Sequence, residues 1–253
     1  MVWDAVLFDM DGTLIEIDMK KFLHDYFSLW QHTAAKYTDE PSEYVKRIIA
    51  ATDEMVENTN SDLTNEEVFW QFFDSEQFPK EKYMPISDSF YDHEFLQLKG
   101  LIKQRPQMQK IVKLLSKKTK LALATNSVFP QKAILCRLKW GGFDPEDFDF
   151  IASYEKMHYC KPRPEYFLEI ANILGVSPEK CLVVGDDPQL DLVARKLNMT
   201  TFFLDIAKGQ DAEWAGEAIH VVTEEDRQKG REIADHHGDM DDLEKFILEG
   251  LKR

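Results

Sequence analysis

The chain has 253 residues, of which 43% are hydrophobic and 30% are charged, a balance that is typical of a globular protein. The formal net charge of −15 repels phosphate backbones and anionic lipids, which argues against nucleic acid and membranes as partners. The three cysteines are widely spaced and no apolar run reaches the length of about 20 residues that spans a bilayer, so we expect a cytoplasmic protein without a disulfide framework.

The first predicted strand, Val6–Phe8, runs directly into Asp9, and Asp11, Gly12 and Thr13 follow at once. Two carboxylates two residues apart can share one site at a strand end, where a glycine allows a tight turn. Asp9 is a candidate nucleophile, and Asp11 is a candidate acid for the proton of a leaving group. The pair could also hold a hard cation such as Mg²⁺. The alternative to a catalytic or metal site is a polar strand-to-loop turn in which both aspartates are solvated.

Residues 17–98 carry apolar side chains at helical spacing and show little strand-like alternation. This spacing predicts several helices that pack on one another and bury their aromatic side chains in a shared core. We interpret the block as an insertion of 17–98 into a core formed by 1–16 and 99–253. The residues that define the helical stripes are Met19, Phe22, Leu23, Tyr26, Phe27, Trp30, Tyr44, Ile48, Met55, Phe69, Phe72 and Phe73.

From Pro106 onward, helical and strand-like segments alternate, which predicts a parallel sheet covered by helices on both faces. The fold class is therefore α/β, with a doubly wound, Rossmann-like sheet. The polar stretch around His236 is predicted as a loop before a closing helix. The predicted helices are Pro106–Lys118, Pro130–Lys139, Pro164–Leu174 and Pro188–Leu197, and the predicted strands are Leu121–Ala124, Phe148–Ala152, Leu182–Val184, Thr201–Leu204 and Ile219–Val222.

Polar residues that could bind an anion lie within the region of alternating helices and strands after Pro106. Thr125 and Asn126 end a predicted strand and could hold phosphoryl oxygens by hydrogen bonds, or Thr125 could cap the next helix. Lys161 lies in a loop that Pro162 and Pro164 hold extended. It could offset the charge between a carboxylate and an anionic substrate, and a solvated lysine is the alternative.

Three aspartates follow the strand Leu182–Val184, and carboxylates at such a strand end suit Mg²⁺. Asp187 precedes Pro188 and is placed to cap the next helix, which makes Asp186 the better candidate for direct metal ligation. Asp191 is expected to lie outside the direct ligand set and to hold Lys161 or a metal-bound water.

Four motifs in this order resemble the haloacid dehalogenase-like (HAD) hydrolase superfamily. They are DMDGT at 9–13, Thr125-Asn126, Lys161-Pro162 and GDDPQLD at 185–191. The insertion after the first strand resembles the helical type-1 cap of that family.

The resemblance implies roles for the catalytic residues. Asp9 would be the nucleophile and form an aspartyl-phosphate. Asp11 would be the acid toward the leaving oxygen and the base toward water, and Lys161 would offset charge around the nucleophile. The phosphoryl group would be bound by Gly12, Thr125 and Asn126.

The resemblance also implies Mg²⁺ as the cofactor. The ion would be held by Asp9, by the main-chain carbonyl of Asp11 and by one of the adjacent carboxylates Asp186 and Asp187. Family members use both spacings of the last acidic residues, so the choice between Asp186 and Asp187 stays open at this point.

The predicted function is Mg²⁺-dependent hydrolysis of a small phosphomonoester, with a phosphorylated metabolite as the partner. Asp11 and Asp186 argue against a dehalogenase of the same family, which typically lacks the acidic pair and the metal. A phosphosugar mutase uses the same aspartate pair and cap, a phosphonatase would need a reactive lysine in the cap, and a non-catalytic binding protein is the least favoured alternative.

Overall fold

A parallel sheet forms the centre of the protein in the computed structural model, which describes residues 2–206 and 222–252. The strands within these residues are β1 (Ala5–Phe8), β2 (Glu16–Ile17), β3 (Ile102–Lys103), β4 (Lys120–Leu123), β5 (Phe150–Ile151), β6 (Cys181–Gly185), β7 (Thr200–Leu204) and β8 (His236–Gly238). Six of them form one sheet in the order β5-β4-β1-β6-β7-β8, and every neighbouring pair is parallel. This architecture confirms the predicted α/β fold class.

The strand order reverses at β1, which places β4 and β5 on one side and β6, β7 and β8 on the other. In doubly wound sheets, ligands bind in the crevice beyond the carboxyl ends of the strands at such a reversal. The fold therefore directs attention to the residues that follow β1, β4 and β6.

Helices cover both faces of this sheet, and the sheet separates the buried apolar side chains into two clusters. Val6 and Phe8 of β1 point into the larger cluster, and Ala5 and Leu7 point into the smaller one, as the two-residue period of a strand requires. The helices are α1 (Met19–Ala34), α2 (Pro41–Glu57), α3 (Asn65–Phe73), α4 (Lys80–Asp92), α5 (Pro106–Leu115), α6 (Gln131–Trp140), α7 (Pro164–Leu174), α8 (Glu224–Ile233) and α9 (Met240–Lys252), with 3₁₀ helices at Glu94–Leu101, Pro145–Asp147, Pro178–Lys180 and Leu192–Leu197.

The helical insert lies between β2 and β3, and it contains α1 to α4 and the first 3₁₀ helix. β2 and β3 pair with each other as an antiparallel ladder, so the two ends of the insert lie side by side. Its aromatic side chains pack on one another: the rings of Trp30 and Phe90 stack at 3.8 Å, and Tyr44 packs against Phe73 at 5.3 Å. Because these rings are buried, the stripes read from the sequence are core residues of packed helices, as expected.

The predicted helix Pro188–Leu197 is wrong in its first half. The chain makes a turn after β6, and a 3₁₀ helix begins only at Leu192. The main-chain N–H of Asp187 donates to the carboxylate of Asp191 at 3.1 Å, and Asp191 packs directly against Gly185. These contacts fix a tight turn around the strand end in place of a regular helical start.

The predicted loop around His236 is also wrong, because His236–Gly238 forms the edge strand β8 beside β7. An edge strand with exposed polar side chains lacks the apolar signature that predicts a strand. The helix α8 precedes it and begins with a capping box between Thr223 and Asp226. Most of the predicted strand Ile219–Val222 lies outside the described residues, and Val222 belongs to no regular element.

Among the residues that the structure describes, no helix is both long enough and apolar enough to cross a membrane.

Candidate active site

The predicted site residues come together beyond the carboxyl ends of β1, β4 and β6. Asp9 follows β1, and its N–H donates to the carbonyl of Val184 in β6 at 2.9 Å. Asp186 follows β6 directly, and Thr125 lies just beyond β4. The register of the parallel strands therefore places Asp9, Asp186 and Thr125 at the same edge of the sheet.

Lys161 joins two of these acidic residues. Its ammonium group donates to Asp9 Oδ1 at 2.8 Å and to Asp191 Oδ1 at 2.6 Å, and its side chain is 1% exposed. The main-chain N–H of Lys161 donates to Asn126 Oδ1 at 3.1 Å, which ties the lysine loop to the end of β4. The lysine is thus a buried cation held in one place, and the alternative of a solvated lysine is wrong.

Burial and charge shift the protonation of this trio. Burial raises the pKa of the Asp9 carboxyl to about 8; Lys161 opposes the shift, and Asp191 and Asp186 add to it. Burial likewise raises the pKa of Asp191 to about 6 against the attraction of Lys161. Burial disfavours the charge of Lys161, but Asp191 and Asp9 outweigh it and raise the pKa of the lysine above its ordinary value. At both carboxyl groups, burial therefore outweighs the attraction of Lys161.

The carboxylates of Asp9, Asp186 and Asp191 form a group that could hold a metal ion, since one oxygen from each lies within 4.8 Å of the others. Carboxylate oxygens are the ligands that Mg²⁺ prefers, so the donor set fits that ion. Asp187 points its carboxylate at the turn: Oδ1 accepts from the main-chain N–H of Gln189 at 2.9 Å and of Leu190 at 3.1 Å. These contacts close the turn after β6; the helix that Asp187 was predicted to cap does not begin at Pro188.

The loop Gly12-Thr13, which follows Asp11, is held by residues from other elements. Gly12 has a φ of 95°, a conformation that favours glycine. Thr13 donates its hydroxyl to Asp186 Oδ1 at 3.0 Å. Arg105, which precedes α5, donates to the carbonyls of Gly12 at 2.6 Å and Thr13 at 3.2 Å. Arg105 therefore fixes the loop that follows the first aspartate.

Asp11 pairs with Arg137, a residue that the motifs do not include. Arg137 Nη1 donates to Asp11 Oδ2 at 2.5 Å, and the arginine side chain is 1% exposed. Arg137 lies in α6 on the same buried stripe as Ile134 and Leu138. A cation at an apolar position of a helical pattern is the signal that would have identified it.

The residues after β4 are held by both halves of the molecule. Helix α6 begins at Gln131 with no side-chain cap, so Thr125 is not its N-cap. Thr125 is buried, and its carbonyl accepts from the hydroxyl of Tyr166 at 2.5 Å. Ser127 accepts a hydrogen bond from the Asn65 side chain, which belongs to α3 in the insert. The insert therefore contacts the strand end that carries the predicted phosphoryl-binding residues.

Comparison with known proteins agrees with this arrangement. A model of the haloacid dehalogenase-like hydrolase family matches residues 3–197, which is more than half of the chain. The chain is also 30% identical over 186 residues to a phosphorylated carbohydrates phosphatase from Thermotoga maritima, and the alignment covers 72% of this chain and 76% of that protein.

Two solved structures share the fold. A HAD phosphatase from Thermococcus onnurineus aligns with a TM-score of 0.55 and 20% identity over 96% of this chain and 97% of that one. A putative beta-phosphoglucomutase from Thermotoga maritima aligns with a TM-score of 0.54 and 21% identity over 98% of each chain. Together with the family match, these findings show that the chain belongs to the haloacid dehalogenase-like hydrolases, as its motifs predict, and is a phosphatase-like enzyme of that family.

Proposed function

We propose that the protein is a Mg²⁺-dependent phosphatase that hydrolyses a small phosphomonoester through an aspartyl-phosphate on Asp9. The contact that carries this proposal is the bridge from Lys161 to both Asp9 and Asp191 at the switch point of the sheet. A carboxylate fixed by a buried lysine, beside further carboxylates, can approach an anionic phosphoryl group that it would otherwise repel.

The proposed reaction has two steps. In the first, an oxygen of Asp9 forms a bond to phosphorus while the bond to the leaving oxygen breaks, and Asp11 gives that oxygen its proton. In the second, Asp11 accepts a proton from water, and the water oxygen forms a bond to phosphorus. The bond between phosphorus and Asp9 then breaks, which releases inorganic phosphate and restores both carboxyl groups to their starting forms.

Asp9 and Asp186, with Asp191 behind them, are the carboxylates that would hold Mg²⁺. The main-chain carbonyl of Asp11 remains a predicted ligand. When bound, the ion would offset the negative charge of the Asp9 carboxylate and of the phosphoryl oxygens. We assign Asp187 to the turn, because its carboxylate accepts from two main-chain N–H groups there.

The proposed substrate class is a phosphorylated carbohydrate. The support is the relative with 30% identity, whose name gives phosphorylated carbohydrates as its substrates. Residues 17–98 would act as a cap over the crevice, and 1–16 and 99–253 would form the core that carries the chemistry. A cytoplasmic location remains a prediction from composition.

The test is phosphate release from a panel of sugar phosphates and other phosphomonoesters, with Mg²⁺ and with a chelator. We expect turnover with Mg²⁺, and we expect Asp9→Asn to lower kcat by about 10⁴-fold or more, since it removes the attacking charge at nearly constant volume. The matched control is Asp4→Asn, at the exposed opposite end of β1. Interconversion of sugar phosphates without phosphate release would instead identify a mutase.

A further inference from the structure

Arg137 is a buried cation with few hydrogen-bond partners. Its guanidinium donates to Asp11 Oδ2, while its Nε and Nη2 atoms, also buried, have no hydrogen-bond partner among residues 2–206 and 222–252. Burying a guanidinium costs free energy unless its charge and its donors are satisfied. The stability of α6 therefore does not by itself explain a buried arginine at this position.

Two aromatic rings hold the guanidinium in place. Its central carbon lies 4.6 Å from the ring centre of Phe129 and 5.6 Å from that of Phe22. Such contacts attract a cation and restrict its plane, although they do not replace hydrogen bonds. Phe22 belongs to α1 of the insert, and Phe129 belongs to the loop between β4 and α6. The arginine is thus fixed from both sides of the crevice.

The ion pair with Arg137 anchors one carboxylate oxygen of Asp11 and leaves the other oxygen unanchored. Oδ2 accepts from Arg137, whereas Oδ1 has no hydrogen-bond partner in the described part of the chain. A carboxyl group that transfers a proton must reach the reacting oxygen at about 2.6–3.2 Å, and a displacement of about 1 Å can cost about 100-fold in rate. The contact to Oδ2 restricts the positions that the free oxygen Oδ1 of Asp11 can take.

We propose that Arg137 is a positioning residue for the reaction: it holds the Asp11 carboxyl group so that Oδ1 can exchange a proton with the leaving oxygen and then with water. The inference rests on the proposed phosphatase function. Arg137 itself touches no reacting atom in this scheme, and its effect passes through Asp11.

The main variant is Arg137→Met, which keeps an unbranched apolar side chain in the core and removes the charge and the donors. For an alkyl phosphate such as glycerol phosphate, we expect kcat to fall about 10- to 100-fold with little change in KM, because the proton donor is misplaced. For p-nitrophenyl phosphate in single-turnover assays, the loss should be smaller, since that leaving group needs less protonation. Arg137→Lys should restore part of the rate, and Lys139→Met, on the exposed side of the same helix, should change nothing.

A double-mutant cycle separates positioning from a general structural role. In an Asp11→Asn background, Arg137→Met should leave the rate within about twofold, because the group on which it acts is gone. An equal loss on both substrates, or the same loss in both backgrounds, would overturn the inference.

Crystal structures of the wild type and of Arg137→Met answer the question independently of turnover. We expect one position of the Asp11 carboxylate in the wild type and a shifted or divided position in the variant. An unchanged position overturns the inference whatever the activity is. Failure of the proposed function would look different: the wild type would release no phosphate from any ester, or Asp9→Asn would retain the activity.

Discussion

Asn65, the first residue of α3, donates its side-chain amide to Ser127 Oγ at 2.9 Å and so ties the insert to the strand end beside the lysine loop. The same amide reaches the carbonyl of Tyr159 at 3.3 Å, and the Asn65 main-chain N–H donates to the carbonyl of Met157 at 2.8 Å. Asn65 is fully buried. The helical insert is therefore fastened to the segment that leads into Lys161, at a distance in sequence from the β2–β3 ladder.

Asn65→Ala should loosen this attachment. The variant removes donors to Ser127 and Tyr159 in a buried place, and such a loss costs about 1–3 kcal/mol of unfolding free energy. Amide hydrogen exchange should rise in α3 and in residues 153–160, as measured by mass spectrometry. Asn60→Ala, at an exposed position of the same connection, is the control. Unchanged exchange in both segments would show that the side chain is not what holds the insert.

Gly185→Ala should displace Lys161 indirectly, through Asp191. A Cβ at position 185 would overlap the carboxylate of Asp191, which holds Lys161 at 2.6 Å. We expect kcat to fall about 100-fold or more, because the misplaced carboxylate releases the lysine from Asp9. Gly100→Ala is the matched control, since a Cβ there meets nothing within 4 Å. Normal turnover by Gly185→Ala would mean that the Asp191 contact is dispensable.

The stability of the metal-free protein should fall as the pH rises between about 4 and about 8. Burial raises the pKa of Asp9 from 3.8 to about 8, so the folded state keeps a proton that the unfolded chain releases. Over that range the unfolded state gains stability relative to the folded state. Asp9→Asn cannot lose this proton, and its melting temperature should exceed that of the wild type by a margin that grows with pH. A margin that is constant from pH 5 to pH 8 would contradict the shifted pKa.

Mg²⁺ titrations of activity should distinguish the roles of the adjacent carboxylates Asp186 and Asp187. Asp186→Ala removes a member of the carboxylate group and should raise the Mg²⁺ concentration for half-maximal rate more than tenfold, on the order of the loss of a metal ligand or its supporting contact. Asp187→Ala removes the acceptor of two main-chain N–H groups in the turn and should cost about 0.5–1.5 kcal/mol of stability per hydrogen bond, with a nearly unchanged Mg²⁺ requirement. The reverse order would exchange the two assignments.

The parts of the site that lie at strand ends are predictable from the sequence. Val6–Phe8 and Leu182–Val184 are continuous apolar runs, which is the pattern expected for a strand that is buried on both faces. Asp9 follows the first run directly, and Asp186 follows the second after Gly185. Because parallel strands share one carboxyl edge, the proximity of Asp9 and Asp186 follows from the element order alone.

The parts that depend on contacts between distant elements are not predictable in this way. Arg137 meets Asp11 across 126 positions, and Arg105 meets Gly12 across 93, with no local pattern that pairs them. The edge strand β8 is missed for a different reason, because His236 and His237 are exposed and no apolar period marks them. Long-range side-chain pairing and polar edges therefore limit what the sequence alone predicts.

Because Glu16 pairs with Lys103 and Ile17 pairs with Ile102, the chain enters and leaves the insert at neighbouring positions of one short ladder. Its entry and exit are adjacent strands in fixed register, so the segment between them can lengthen, shorten or be exchanged without changing the order of the sheet. Evolution could thus vary the surface above the crevice while the strand ends that carry Asp9, Lys161 and Asp186 keep their places.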